Sequence, residues 1–130
     1  MGYVTRDAIF GGMTLPREEV SAFGGRVIVQ GLTVNQRDDF EAGCLITERN
    51  GKQRVNVLGM RAKLVALCCI NQDGSRLFED ADALKIGALP AKDVERVFEA
   101  AQRLSGISDR DLEELEKNSA SGPPVASSSV

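Results

Sequence analysis

Histidine is absent from this chain. Catalysis by a Ser-His or Cys-His pair is thereby excluded, because each needs an imidazole to take the nucleophile's proton. Zinc also loses its usual nitrogen ligand, and the three cysteines lack the Cys-x-x-Cys spacing that could replace it. Cys44, Cys68 and Cys69 are odd in number, two are adjacent, and all lie among apolar neighbours. They read as free thiols buried as small hydrophobes. No run of about 18 apolar residues occurs, so no segment is suited to span a bilayer as a helix. The basic-then-apolar start of a signal peptide is missing, and Arg6 stands where a myristoylation signal needs Ser or Thr. These absences point to a cytosolic chain with no membrane partner.

Charge of one sign is also scarce. The 16 basic residues are scattered among 19 acidic ones, for a formal net charge of -3. No basic run can track a phosphate backbone, so nucleic-acid binding is not expected. The remaining acid chemistry would rest on Asp38–Asp39 or Glu79–Asp80, which sit in polar sequence and suit solvated faces or helix starts. Gly11-Gly12 and Gly24-Gly25 are isolated and suit turns rather than phosphate cradles. The composition predicts a non-catalytic protein without a cofactor or metal.

With 130 residues the chain is large enough for one unstapled core. Residues 1–15 have weak periodicity and read as a loosely attached arm ended by Pro16. Glu18 to Ala22 and Arg26 to Gln30 predict a β-hairpin around Phe23-Gly24-Gly25, with the β-branched Val27-Ile28-Val29 as its strongest strand signal. Thr33 followed by Gln36 is a capping box and predicts a helix to about Glu48, with Phe40, Cys44 and Leu45 on its buried side and Val34 near its first turn. A second helix, about Val55 to Ile70, is apolar over much of its circumference and therefore central to a core or covered by a partner. Asn71 to Gly74 predicts a turn, Leu77-Phe78 a return to the core, and Glu79 to Leu89 a short helix carrying Leu84 and Ile86.

The last third is the most patterned. Ala91 to Leu104 places Val94, Val97, Phe98, Ala101 and Leu104 three and four apart, an apolar stripe opposite charged faces. Gly106 ends that helix. Ser108 with Asp111 starts another, Asp109 to Asn118, carrying Leu112 and Leu115. Residues 119–130 are an uncharged Ser/Pro/Gly-rich tail with nothing to build a core from, expected to be disordered. The expected fold is α+β: one compact, mainly helical domain over residues 1–118, of about four to five helices, with a small N-terminal β-hairpin.

Three stretches in this order resemble a known family. They are Gly31-Leu32-Thr33 ahead of an acidic helix with Phe40; Arg61 to Cys69 followed by Asp73-Gly74-Ser75-Arg76-Leu77-Phe78; and Val97 to Leu104 followed by Leu112 to Asn118. Together they resemble the tail assembly chaperones of long, non-contractile-tailed (siphovirus-type) bacteriophages and prophages, over about residues 24–118. The resemblance implies a non-catalytic protein of the host bacterial cytoplasm, absent from the mature virion. Such chaperones bind and solubilise the tape measure protein and help recruit subunits of the tail-tube (major tail) protein, in part through a longer frameshifted product. Glu116-Lys117-Asn118 can be encoded GAA AAA AAC, which contains the slippery heptamer A AAA AAC at the start of the loose tail. The alternative is a regulatory or adaptor domain that binds a host protein through an apolar helical surface.

Leu112 and Leu115 are candidate partner-binding residues, because a short terminal helix buries little by itself. Tyr3, Ile9 and Phe10 on the arm are candidates for contacts between copies in a homo-oligomer.

Overall fold

The computed structural model describes residues 2–55 and 57–120. It has the α+β architecture expected from the sequence, with six α-helices among those residues and an N-terminal antiparallel hairpin. The hairpin pairs β1 (Arg17–Ala22) with β2 (Gly25–Gln30), from Arg17 opposite Gln30 to Ala22 opposite Gly25. Phe23 and Gly24 form its two-residue turn with φ of 56° and 80°. Positive φ at both central positions matches the right-handed twist of the flanking strands, at a cost for Phe23 that glycine does not carry.

One edge of that hairpin is occupied by a third strand. After the central helix α3 (Val57–Cys68), Cys69 and Ile70 form a short strand, β5, pairing with Val29 and Ile28 of β2. The helix predicted to reach Ile70 therefore stops two residues early. Backbone groups at 69–70 find partners in the sheet, and tertiary pairing overrides the local helical pattern. Val55 lies outside the helix, and the side chains of Val57 and Leu58 lie outside the described residues.

The capping box of α2 (Val34–Gly43) forms as predicted: Thr33 Oγ1 accepts from Gln36 N–H at 3.2 Å, and Gln36 Oε1 accepts from Thr33 N–H at 2.9 Å. The helix ends at Gly43, however, not near Glu48. Residues 45–47 and 53–55 form a second small hairpin, β3 (Leu45–Thr47) with β4 (Gln53–Val55), and the Asn50-Gly51 turn signal serves it rather than closing a helix. Phe40 and Cys44 are buried, but Leu45 and Val34 are exposed.

Glu79 to Leu89 is only partly helical, a 3-10 turn (Asp80–Asp82) followed by α4 (Ala83–Ile86). Ile86 is buried there, whereas Leu84 and Leu77 face solvent; Phe78 makes the return to the core. The core is built on α3, whose Leu64, Val65 and Cys68 are fully buried. It is covered by α5 (Ala91–Ser105), α4 and α2, and α5 also lies on β1 and β2. The predicted stripe of α5 is the face it buries, from Val94 to Leu104.

The arm contains an unpredicted helix, α1 (Arg6–Gly12), capped by Thr5, with no buried residue. At the other end α6 runs Asp109–Ala120, two residues into the segment expected to be tail. The rest of that predicted tail, 121–130, lies outside the described residues. No helix of the described residues is long and apolar enough to cross a membrane.

Candidate functional site

A corner of fixed geometry joins α5 to α6. Gly106 takes a left-handed φ of 72°, and Ile107 N–H returns 2.9 Å to the carbonyl of Gln102, closing α5. Ile107 is buried at that turn. The amide nitrogen of the buried Gln102 donates to Asp109 Oδ1 at 3.0 Å and, at 3.4 Å, to the Ile107 carbonyl, so its donors are satisfied. Ser108 and Asp111 then cap α6 reciprocally: Ser108 N–H donates to Asp111 Oδ2 and Asp111 N–H to Ser108 Oγ, both at 3.0 Å. The backbone and side-chain bonds to Ser108 hold the Asp111 carboxyl below the usual aspartate range, and Arg37, 3.5 Å away, adds to this.

Between the two helices and α3 lies a groove of about 530 Å³. Met60 and Phe98, both buried, and the half-buried Leu112 line it together with Glu95, Glu99, Asp109 and Glu113. Arg61, the one cation among the described residues that line it, sits with its guanidinium 5.5 Å from the centre of the Phe98 ring and 3.2 Å from Glu95 Oε1. A cation over an aromatic face beside a carboxylate is attracted by both.

A second cleft, about 450 Å³, lies between α2 and α3 beside Phe40 and Leu67. Its cations already have structural partners. Arg76 donates to the Ala66 carbonyl and to Asp80, each at 2.8 Å, and Lys63 donates to the Gly43 carbonyl. Each bond to a carbonyl satisfies the end of a helix, where positive charge is favoured.

Of the predicted contact residues, only Leu112 lines the groove; Leu115 is half-buried and packs on the domain's own core. Tyr3, Ile9 and Phe10 are brought to neither groove nor cleft. They stay exposed on the arm with Val4 and Met13, and the Arg6 guanidinium lies 5.2 Å from the Phe10 ring centre. Glu95, Glu99 and Arg61 were missed in the sequence because charged residues opposite an apolar stripe look like a solvated face. The usable signal was Glu95, Phe98, Glu99 and Gln102, four groove residues three and four apart.

The cysteines are free and fully buried. Burial raises all three thiols, Cys68 to about 11 and Cys69 to about 12, so none is a ready thiolate. No group of three or more potential metal ligands occurs among the described residues. No family model, curated protein or solved structure matches the chain.

Proposed function

We propose that this protein is a non-catalytic phage tail assembly chaperone that binds and solubilises the tape measure protein and helps bring tail-tube subunits to it. The observation that carries the reading is the pairing of a groove along α5 and α6 with an exposed apolar arm on one small domain. The ordered motifs at 31–40, 61–78 and 97–118 support it from the sequence side.

A tape measure is a long helical rod whose apolar stripe would aggregate if left bare. A groove between helices is the complement of such a stripe. The arm supplies a route for copies to touch one another, so that many weak contacts along one rod add through effective concentration. Weak individual contacts also let the chaperone leave when tube subunits arrive. In this reading the protein acts in the host cytoplasm and is absent from the finished particle, and a frameshifted product starting near Lys117 carries the tube-binding extension.

Stoichiometry is the test. Titrating purified tape measure protein with this chain, and weighing the complex by native mass spectrometry, should give many copies per rod. Saturation at one copy contradicts the chaperone reading and favours an adaptor domain.

A further inference from the structure

The sheet ordered β1-β2-β5 leaves its two outer strands in opposite states. Beyond β5 the edge is closed by residues 75–77. Leu77 N–H donates to the Cys69 carbonyl at 3.0 Å, Asn71 N–H donates to the Ser75 carbonyl at 2.7 Å, and Ile70 bridges Arg76. Beyond β1 no strand follows among the described residues, so that edge is open.

The register fixes which groups the open edge offers. Gly31 N–H donates to the Pro16 carbonyl at 3.0 Å, so the bonded pairs of the hairpin recur at every second position, through Glu18, Val20 and Ala22. Arg17, Glu19 and Ser21, lying between them, turn their N–H and C=O groups away from β2. All three residues are exposed. The Ser21 carbonyl is taken by Arg96 of α5, whose Nη1 donates to it at 3.3 Å. On that side no hydrogen bond from the described residues reaches the backbone groups of Arg17 and Glu19.

A row of alternating free donors and acceptors suits an extended backbone. A second copy of the same strand supplies one, and the charges select how it lies. In one antiparallel, two-fold register, Arg17 stands opposite the second copy's Glu19, and Glu19 opposite the second copy's Arg17. Each such pair exchanges both of its backbone bonds, so every free group of Arg17 and Glu19 is used and the Ser21 carbonyl stays with Arg96. A slip of two residues either way sets Arg17 opposite Arg17 or Glu19 opposite Glu19, and like charges directly opposite are destabilising. Within its own hairpin Arg17 donates to Gln30 and Glu19 pairs with Arg26, each at 2.9 Å. The charges across the axis therefore choose the register, while the backbone bonds supply the attraction. On the opposite face the two Glu18 side chains meet near the axis, each already held by the fork of its own Arg103.

We infer that two copies of this protein join β1 to β1 across a two-fold axis, forming one continuous antiparallel sheet. The contact uses the same patch on both copies and closes on itself, so it makes pairs rather than filaments. It rests on neither the tape measure nor the arm, and it defines the unit that arm contacts link.

The test is sedimentation of the full chain over a concentration series, with amide hydrogen exchange at Arg17 and Glu19 read on the same samples. The parent should form dimers, and both amides should slow as the dimer accumulates. Glu19→Pro removes an outward donor while sparing the hairpin's own backbone ladder, a change that edge strands tolerate. The exposed pair with Arg26 that it also removes contributes little to folding. Dimerisation should weaken about tenfold or more, since the symmetry counts the lost bond twice. Arg17→Glu and Glu19→Arg should each weaken it, and the combined exchange Arg17→Glu/Glu19→Arg should restore it. Rescue by the exchange is a result that a merely damaged strand does not give.

A chain that stays monomeric throughout overturns the inference. So does self-association in which both amides exchange freely and the charge variants change nothing, a result that assigns the contact to the arm. Neither outcome touches capture of the tape measure protein, which tests the chaperone reading separately.

Discussion

Arg103 grips Glu18 through two parallel hydrogen bonds, Nη1 to Oε1 at 2.5 Å and Nη2 to Oε2 at 3.0 Å, joining α5 to the first strand of the hairpin. Two forked bonds fix geometry as well as charge. Those hydrogen bonds, and then the Arg103 charge, hold the Glu18 carboxyl below the usual glutamate value of 4.5. Asp111, bonded to Ser108, and Asp73, bonded to Ser75, are lowered in the same way from 3.8. A carboxylate depressed in the folded state contributes stability that is fully present above its unfolded pKa and lost as pH falls through the folded one. Stability should therefore be flat on these groups' account at neutral pH and decline below the ordinary carboxylate range. Thermal melts of Glu18→Gln across that range should show a shallower acid decline than the parent. An equally steep decline in the variant contradicts the role given to this pair.

Gly31 is the tightest point of the fold. A Cβ there would stand 2.4 Å from the Leu104 carbonyl oxygen and 3.2 Å from Pro16 Cγ. The obstacle is backbone near the end of α5, which has little room to retreat because Leu32 N–H also bonds Ser105 Oγ at 3.2 Å. Gly31→Ala should destabilise the protein by about 2–3 kcal/mol, in the range of overpacking. Chemical denaturation measures it, with Gly25→Ala, where no atom lies within 4 Å of the added carbon, as the tolerant comparison.

The thiols should behave as core residues. With Cys68 near 11 and Cys69 near 12, the native protein should resist a thiol reagent at neutral or mildly alkaline pH. All three should react in denaturant. A fast-reacting thiol in the native state contradicts the packing described for α3 and β5.

The arm should separate assembly from stability. Ile9 and Phe10 are exposed on a helix with no buried residue, so Ile9→Ser/Phe10→Ser should change folding stability by no more than about 0.5 kcal/mol. The same variant should lower the mass of self-associated species in sedimentation. An unchanged mass removes the arm as the contact between copies.

Much of the fold was legible because its signals were long or chemically particular. The α5 stripe, the Thr33/Gln36 capping box, the Ser108/Asp111 start and the Phe23-Gly24 turn all formed where the residues place them. What escaped was short or decided by distant contacts. Strands of three residues carry too little alternation to be recognised, so β3 was absorbed into the preceding helix and β4 fell between the two expected helices, overlapping the second only at Val55. Cys69 and Ile70 look helical until Val29 and Ile28 are beside them. The groove was harder still, since Arg61 and Phe98 are distant in the sequence and neither neighbourhood gives a sign that they meet. Leu112 alone was anticipated there, from the shortness of its helix.

The most direct test of the central claim is co-expression of this chain with the tape measure protein of its own genome, followed by the soluble yield of tape measure. The account predicts that tape measure, insoluble alone, becomes soluble and is recovered carrying many copies of this chain. Tape measure that stays insoluble and unbound in the presence of abundant folded chain contradicts it.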